Sequence, residues 1–217
     1  MAFLAETNRT AERAATQRGD LRFQTESSKT RSKSTWLWLL LLLLTGTCDL
    51  LGAENAVSKE YQVKAAFLYN FSKFVEWPAA VMPQGASPIV VGVFGKNPFG
   101  AELEKLVRDK TINEHPIKIR QPQTPEDLRS CHMVFVSDEE GKRLPELLAA
   151  LKGASVLTVG ESQKFAELGG IINFVQEDGK LRFEINGDSA VSAGLRISAQ
   201  LLKLAKTVRG AREIGRN

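Results

Sequence analysis

The residues best equipped for chemistry in this chain are few, and their spacing argues against catalysis. Beyond residue 53 there are two histidines, His115 and His132, and one cysteine, Cys131. Cys131 and His132 are neighbours in sequence. On a strand their side chains point to opposite faces, so they do not form a nucleophile–base pair. A lone histidine beside an apolar strand is expected to be a hydrogen-bonded structural residue. The histidines, Cys131 and the carboxylates do not cluster at zinc-ligand spacing. Gly95-Lys96-Asn97-Pro98-Phe99-Gly100 has the glycine spacing of a phosphate loop. However, Ala101-Glu102 stands where Lys-Ser/Thr should follow, and Glu102 and Glu104 repel phosphate at that helix start. Gly160-Glu161-Ser162-Gln163-Lys164 opens like a nucleophile elbow but lacks the closing glycine. Ser162 is expected instead to cap a helix that contains Phe165. The pattern implies a protein without catalytic residues, metal or cofactor.

Binding is easier to motivate. Asn70 and Lys73 interrupt an otherwise apolar first helix. Asn70 falls on its expected inner stripe, where an amide needs an internal partner or a ligand. Trp77, at the helix end, is either a core lid or a partner anchor, since tryptophan is enriched at interface hot spots. His132 is a further binding candidate. Asn173, Arg182, Glu184 and Asn186 line the polar face of a hairpin, for which plain solvation is the alternative reading.

The elements that must hold these residues can be read from periodicity. Val63, Phe67, Asn70/Phe71 and Phe74 recur at three and four residues, one face of a helix ended by Trp77-Pro78. Ile89–Phe94, Met133–Val136 and Val156–Val159 are continuous apolar runs, as expected of strands covered on both faces. Ile117 and Ile119 flank Lys118 in a short alternating strand. Helices are expected over 101–109, with Leu103 and Leu106 inward, and over 144–151. Strands alternating with helices imply a mostly parallel sheet with helices on its faces. Asp178-Gly179 between two alternating runs, 171–175 and 181–185, signals a hairpin. Leu181, Phe183 and Ile185 should face one side of it. One long amphipathic helix over 191–208 is expected last, its start capped by Asn186 or Asp188. The fold class is α/β: one domain, a mostly parallel sheet flanked by helices, a C-terminal β-hairpin and a long final helix.

Location comes from Trp36–Leu44, nine large apolar residues preceded by Arg31 and Lys33. The run is too short to cross roughly 30 Å of hydrocarbon as a helix but suits a secretory signal. Leu51-Gly52-Ala53 is a tolerable cleavage site. Residues 1–53 are therefore read as a polar extension plus signal peptide, and 54–217 as the exported domain. An uncleaved anchor and a lipoprotein modified at Cys48 are the alternatives. Residues 54–217 carry 22 Lys and Arg against 20 Asp and Glu, so the net charge is only +2. The one basic run, Lys203, Lys206, Arg209, Arg212 and Arg216, is expected to face solvent and complement a helix C-terminus. Nucleic acid is not an expected partner. With Cys131 alone, no internal disulfide forms, and the thiol is expected to be buried.

Four ordered blocks carry a resemblance to a known family: VKAAFLYNFSKFVEWP (Val63–Pro78), SCHMVFVS (Ser130–Ser137), the stretch Leu157–Ala190, and AGLRISAQLLKLA (Ala193–Ala205). Together they resemble the YfiR-like family of exported α/β proteins across about residues 60 to 209. The resemblance implies a non-enzymatic periplasmic regulator. Such proteins bind the periplasmic sensory domain of a membrane-bound diguanylate cyclase and repress cyclic-di-GMP synthesis, which bears on biofilm formation. They are released from the cyclase when a peptidoglycan-associated outer-membrane lipoprotein captures them, and they are often homodimers. Some members carry paired cysteines tied to stability, a feature that Cys131 cannot reproduce within the domain. A periplasmic small-ligand sensor or solute-binding module, feeding a histidine kinase or transporter, is the other function that the residues allow.

Overall fold

A computed structural model describes residues 48–82 and 84–210, with side chains from Lys59 onward. The apolar run Trp36–Leu44, Arg212 and Arg216 lie outside the described residues. Helix α1 spans Cys48–Phe74 and so crosses the expected cleavage point after Ala53. It hands over to strand β1, Val75–Glu76. The central elements follow: β2 (Ile89–Phe94), α2 (Glu102–Val107), β3 (Thr111–Ile112), β4 (His115–Arg120), β5 (Met133–Val136), α3 (Leu144–Ala150) and β6 (Leu157–Gly160). The chain closes with β7 (Ile172–Glu177), β8 (Lys180–Asn186), α4 (Gly187–Ser192), β9 (Arg196–Ile197), α5 (Ala199–Leu204) and β10 (Thr207–Arg209).

Eight strands form one sheet in the order β10-β8-β7-β6-β5-β2-β4-β3. The run from β4 through β2, β5 and β6 to β7 is parallel. The central strands β2, β5 and β6 are apolar because both faces are covered, and every residue of β5 and β6 is buried. The hairpin is present, with β7 and β8 antiparallel from Ile172↔Ile185 to Glu177↔Lys180. Asp178 (φ 49°) and Gly179 (φ 70°) both take positive φ, as a two-residue type I′ turn requires. Phe183 and Ile185 are buried, Leu181 is half-buried, and Arg182 faces solvent.

One face of the sheet packs against α1. Phe67 and Phe71 meet Phe174 and Phe183 with ring centroids 5.1–5.9 Å apart. Burying such a side chain stabilises the fold by about 1.5–3 kcal/mol. The other face packs Val134, Val136, Phe94 and Phe165 against Leu144 and Leu147 of α3.

Three expectations are corrected. The inner stripe of α1 is Ala65, Leu68 and Phe71, while Val63 is 47% exposed and Asn70 faces solvent. Phe67 and Phe74 are half-buried on the flank of this helix, which shifts its phase from the one the aromatic spacing implies. The helix also stops at Phe74, before Trp77-Pro78. Val75 pairs with Ile197, and the Ser198 N–H donates to the Phe74 carbonyl at 2.9 Å. The single long final helix is instead two short ones. Gly194 takes φ +70°, β9 follows, and Ser198 starts α5 by accepting from the Leu201 N–H. At the start of α4, the Asn186 side chain accepts from the Ser189 N–H at 3.0 Å, the cap expected there.

Candidate functional site

In parallel sheets ligands meet the carboxyl ends of the strands. Here β5 ends into Ser137 and Asp138, and β6 ends into Glu161 and Ser162. Helix α1 lays Tyr61 and Lys64 across this edge. The result is a cleft of about 630 Å³ lined in part by Tyr61, Lys64, Glu161, Asn173, Phe174 and Gln176.

Lys64 is only 4% exposed. An ammonium so deep must be paired. Glu161 meets its Nζ at 2.6 Å, and Glu60, one helical turn back, at 2.5 Å. Its charge also lies 4.4 Å from the Tyr61 ring centroid. The Tyr61 hydroxyl donates to Glu161 Oε1 at 3.1 Å, and the Asp138 N–H donates to the same oxygen at 3.4 Å. Burial, and then the Glu161 charge, pushes the Tyr61 phenol well above its usual range, so it remains a donor. This cluster fastens the N-terminal helix to the ends of β5 and β6.

Three buried side-chain oxygens have no hydrogen-bond partner among the described residues: Ser137 Oγ, Ser162 Oγ and Asn173 Oδ1. All three belong to this edge. Ser137 follows β5, Ser162 lies just beyond β6, and Asn173 pairs with Gly160 at the end of β6. Buried polar groups are normally satisfied. Asn173 lines the cleft and is 2% exposed, so its Oδ1 is the one of the three that belongs to a cleft residue.

The predicted site residues scatter. Asn173 alone reaches the cleft, with Glu184 its partner across the hairpin. Asn70 and Lys73 face solvent on α1, and Arg182 faces solvent on β8. Asn70 therefore needs no buried partner. Asn186 is taken up by its cap and by donating to the Ala166 carbonyl at 2.7 Å. Trp77 and His132 meet at the opposite end of the sheet. Trp77 is buried, and its Nε1 donates to the His132 carbonyl at 2.9 Å. His132 Nδ1 accepts from the Val90 N–H at 3.0 Å, which leaves Nε2 to donate to the Val81 carbonyl at 3.1 Å. Burial lowers the His132 pKa, against the Val81 hydrogen bond. The imidazole is a neutral structural staple.

Ser162 does not cap a helix. Residues 162–169 form turns, and its hydroxyl is one of the unpaired three. Cys131 is free and buried beside Gly92. Sequence patterning singles out neither Tyr61, Lys64 nor Glu161. A signal for Lys64 existed, because it shares the stripe of Leu68 and Phe71 and has Glu60 one turn before it.

Geometry and comparison agree on the class of protein. The fold is a single α/β domain with a mostly parallel sheet flanked by helices. The family described as YfiR/HmsC-like matches residues 61–206, and the chain belongs to it. Membership supports a periplasmic regulatory role in general. Among the described residues no helix is long and apolar enough to cross a membrane. No curated protein matches the chain. A crystal structure of a conserved domain protein from Vibrio cholerae O1 biovar eltor is similar at 13% identity and a TM-score of 0.41. The match covers 56% of this chain and 55% of that one, so this chain spans about half its length.

Proposed function

We propose that this chain is an exported, non-enzymatic regulator. It binds the periplasmic sensory domain of a membrane-bound diguanylate cyclase and represses cyclic-di-GMP synthesis. The family match across residues 61–206 carries this reading. In it, residues 1–53 deliver the domain 54–217 to the periplasm, where a homodimer is the working unit. A peptidoglycan-associated outer-membrane lipoprotein relieves the repression. The test is a pull-down from envelope extract together with gene deletion. Recovery of a membrane cyclase and a rise in cyclic-di-GMP are expected. No signalling protein in the pull-down, with unchanged cyclic-di-GMP, would sink the reading.

A second reading has its own observation. Asn173, whose buried Oδ1 has no partner among the described residues, lines a cleft of about 630 Å³, the size range of small-molecule sites. In this reading the domain senses a periplasmic solute for a histidine kinase or transporter. A thermal-shift screen of periplasmic metabolites distinguishes the two, since only a sensor gains stability from a solute.

A further inference from the structure

The two ladders of β7 differ in length. On one side β8 pairs with it as far as Glu177↔Lys180. On the other, β6 pairs only through Val159↔Ile172 and Gly160↔Asn173. Residues Phe174–Glu177 therefore run past the end of β6 with no strand beside them among the described residues. The register shows which backbone groups are left there. The Asn186 N–H donates to the Ile171 carbonyl at 2.8 Å, and Ile171 stands opposite Asn186. In an antiparallel pair, hydrogen-bonded partners alternate. Residues 171, 173, 175 and 177 thus aim their groups at β8, and 172, 174 and 176 aim theirs the other way. The Gly160↔Asn173 bridge takes up the Phe174 N–H on the Gly160 carbonyl, so the Phe174 carbonyl and the Gln176 N–H and carbonyl are what remain toward the cleft, which four consecutive residues, Asn173–Gln176, line.

Proteins usually blunt such an edge with Pro, Lys or a bulge. The stretch Phe174-Val175-Gln176-Glu177 has neither residue and keeps regular pairing to β8. The opposite wall of the cleft is acidic. Glu60 and Glu161 share the single ammonium of Lys64, Asp138 adds a third carboxylate, and Lys206 is held by Glu177 at 3.0 Å. Asn173 supplies an unpaired acceptor at the point where β6 stops.

We propose that this free edge of β7 docks an extended segment of a partner protein bearing a basic side chain. The segment takes up the line that β6 abandons. Its backbone pairs with the Phe174 carbonyl and with the Gln176 N–H and carbonyl, and its cation meets the carboxylates. Main-chain bonds supply affinity in such strand addition, and side-chain pockets supply specificity. The proposal rests on the protein-binding reading above and names the surface that it uses.

The test uses the full chain and three short capped peptides that alternate valine and threonine. One has a central lysine and one a central glutamate. The third is the lysine peptide N-methylated at its central amides. The lysine peptide is expected to bind, and the glutamate peptide to bind about tenfold or more weakly. The N-methylated peptide should not bind. The Gln176 amide should exchange with deuterium quickly in the free protein and slowly in the complex. Gln176→Pro removes a donor that points away from β8, so it should abolish binding while the hairpin persists. Equal binding of the lysine and glutamate peptides would overturn the proposal. So would binding undiminished by Gln176→Pro, or stabilisation by a small solute alone with no peptide bound. Peptide binding in a strain whose cyclic-di-GMP ignores the deletion would support the edge while removing the cyclase as its partner.

Discussion

At the scale of single residues, Lys64 is the most consequential side chain of the described domain. Its ammonium is almost wholly out of water and rests on two carboxylates. Removing one partner of a buried pair leaves the other charge stranded, at a cost of about 3–5 kcal/mol. Lys64→Ala should therefore lower stability by that order in denaturant titration, and Lys64→Met with Glu161→Gln should recover part of it. An exposed residue such as Asn70 should tolerate alanine within about 0.5 kcal/mol. His132 makes a different prediction. Its folded pKa lies below the ordinary 6.5, so the unfolded chain binds the proton more readily. Its contribution is then present above pH 6.5 and is lost as pH falls from there through the folded value. The melting temperature should decline across that acid window. His132→Asn, which keeps an acceptor for the Val90 N–H but does not titrate, should flatten the decline. Residue roles were legible where a local rule decides them, as for the Asn186 cap. They were not where phase decides. A one-residue shift in α1 exposes Asn70 and buries Lys64, and spacing alone does not set that phase when aromatic residues occupy the flank.

At the scale of elements, the loop that carries Glu161 is set by one ring in a slot. A Cβ on Gly160 would lie 2.2 Å from the Phe165 ring, and one on Gly170 would lie 2.1 Å from it. The two glycines leave the space that Phe165 fills at 0% exposure. Gly160→Ala and Gly170→Ala should each cost about 1–3 kcal/mol through overpacking. Pairing either with Phe165→Leu should return part of the loss, measurable as coupling in a double-mutant cycle. The buried strands and the Asp-Gly hairpin could be read from sequence because continuous apolar runs and a type I′ turn leave local marks. Strand β3 could not. It is two residues long, and its turn to β4 uses Asn113 and Glu114 at positive φ, without glycine. The break in the last helix was also hidden. Gly194 interrupts an amphipathic pattern that continues on both sides, and tertiary pairing of β9 with β1 decides the matter.

At the scale of the whole molecule, the two ends of the sheet divide the labour. The carboxyl ends gather the charges and the unpaired amide, while the amino ends hold Trp77, His132 and buried Cys131. Desolvation raises the Cys131 thiol pKa, so native protein should resist alkylation and react fully only after unfolding. The exported, processed chain is expected in the periplasmic fraction, and its recovery from the cytosol would contradict the proposed role. The indole at the far end has one practical consequence. Trp36 and Trp38 both precede residue 54, so a chain that begins there keeps Trp77 as its sole tryptophan. Its fluorescence reports from a dry site tied to the His132 carbonyl, where α1, β1 and the sheet converge. A red shift in its emission on acidification would date the opening of that junction. Emission unmoved by a bound peptide would show that occupancy of the opposite edge leaves it closed.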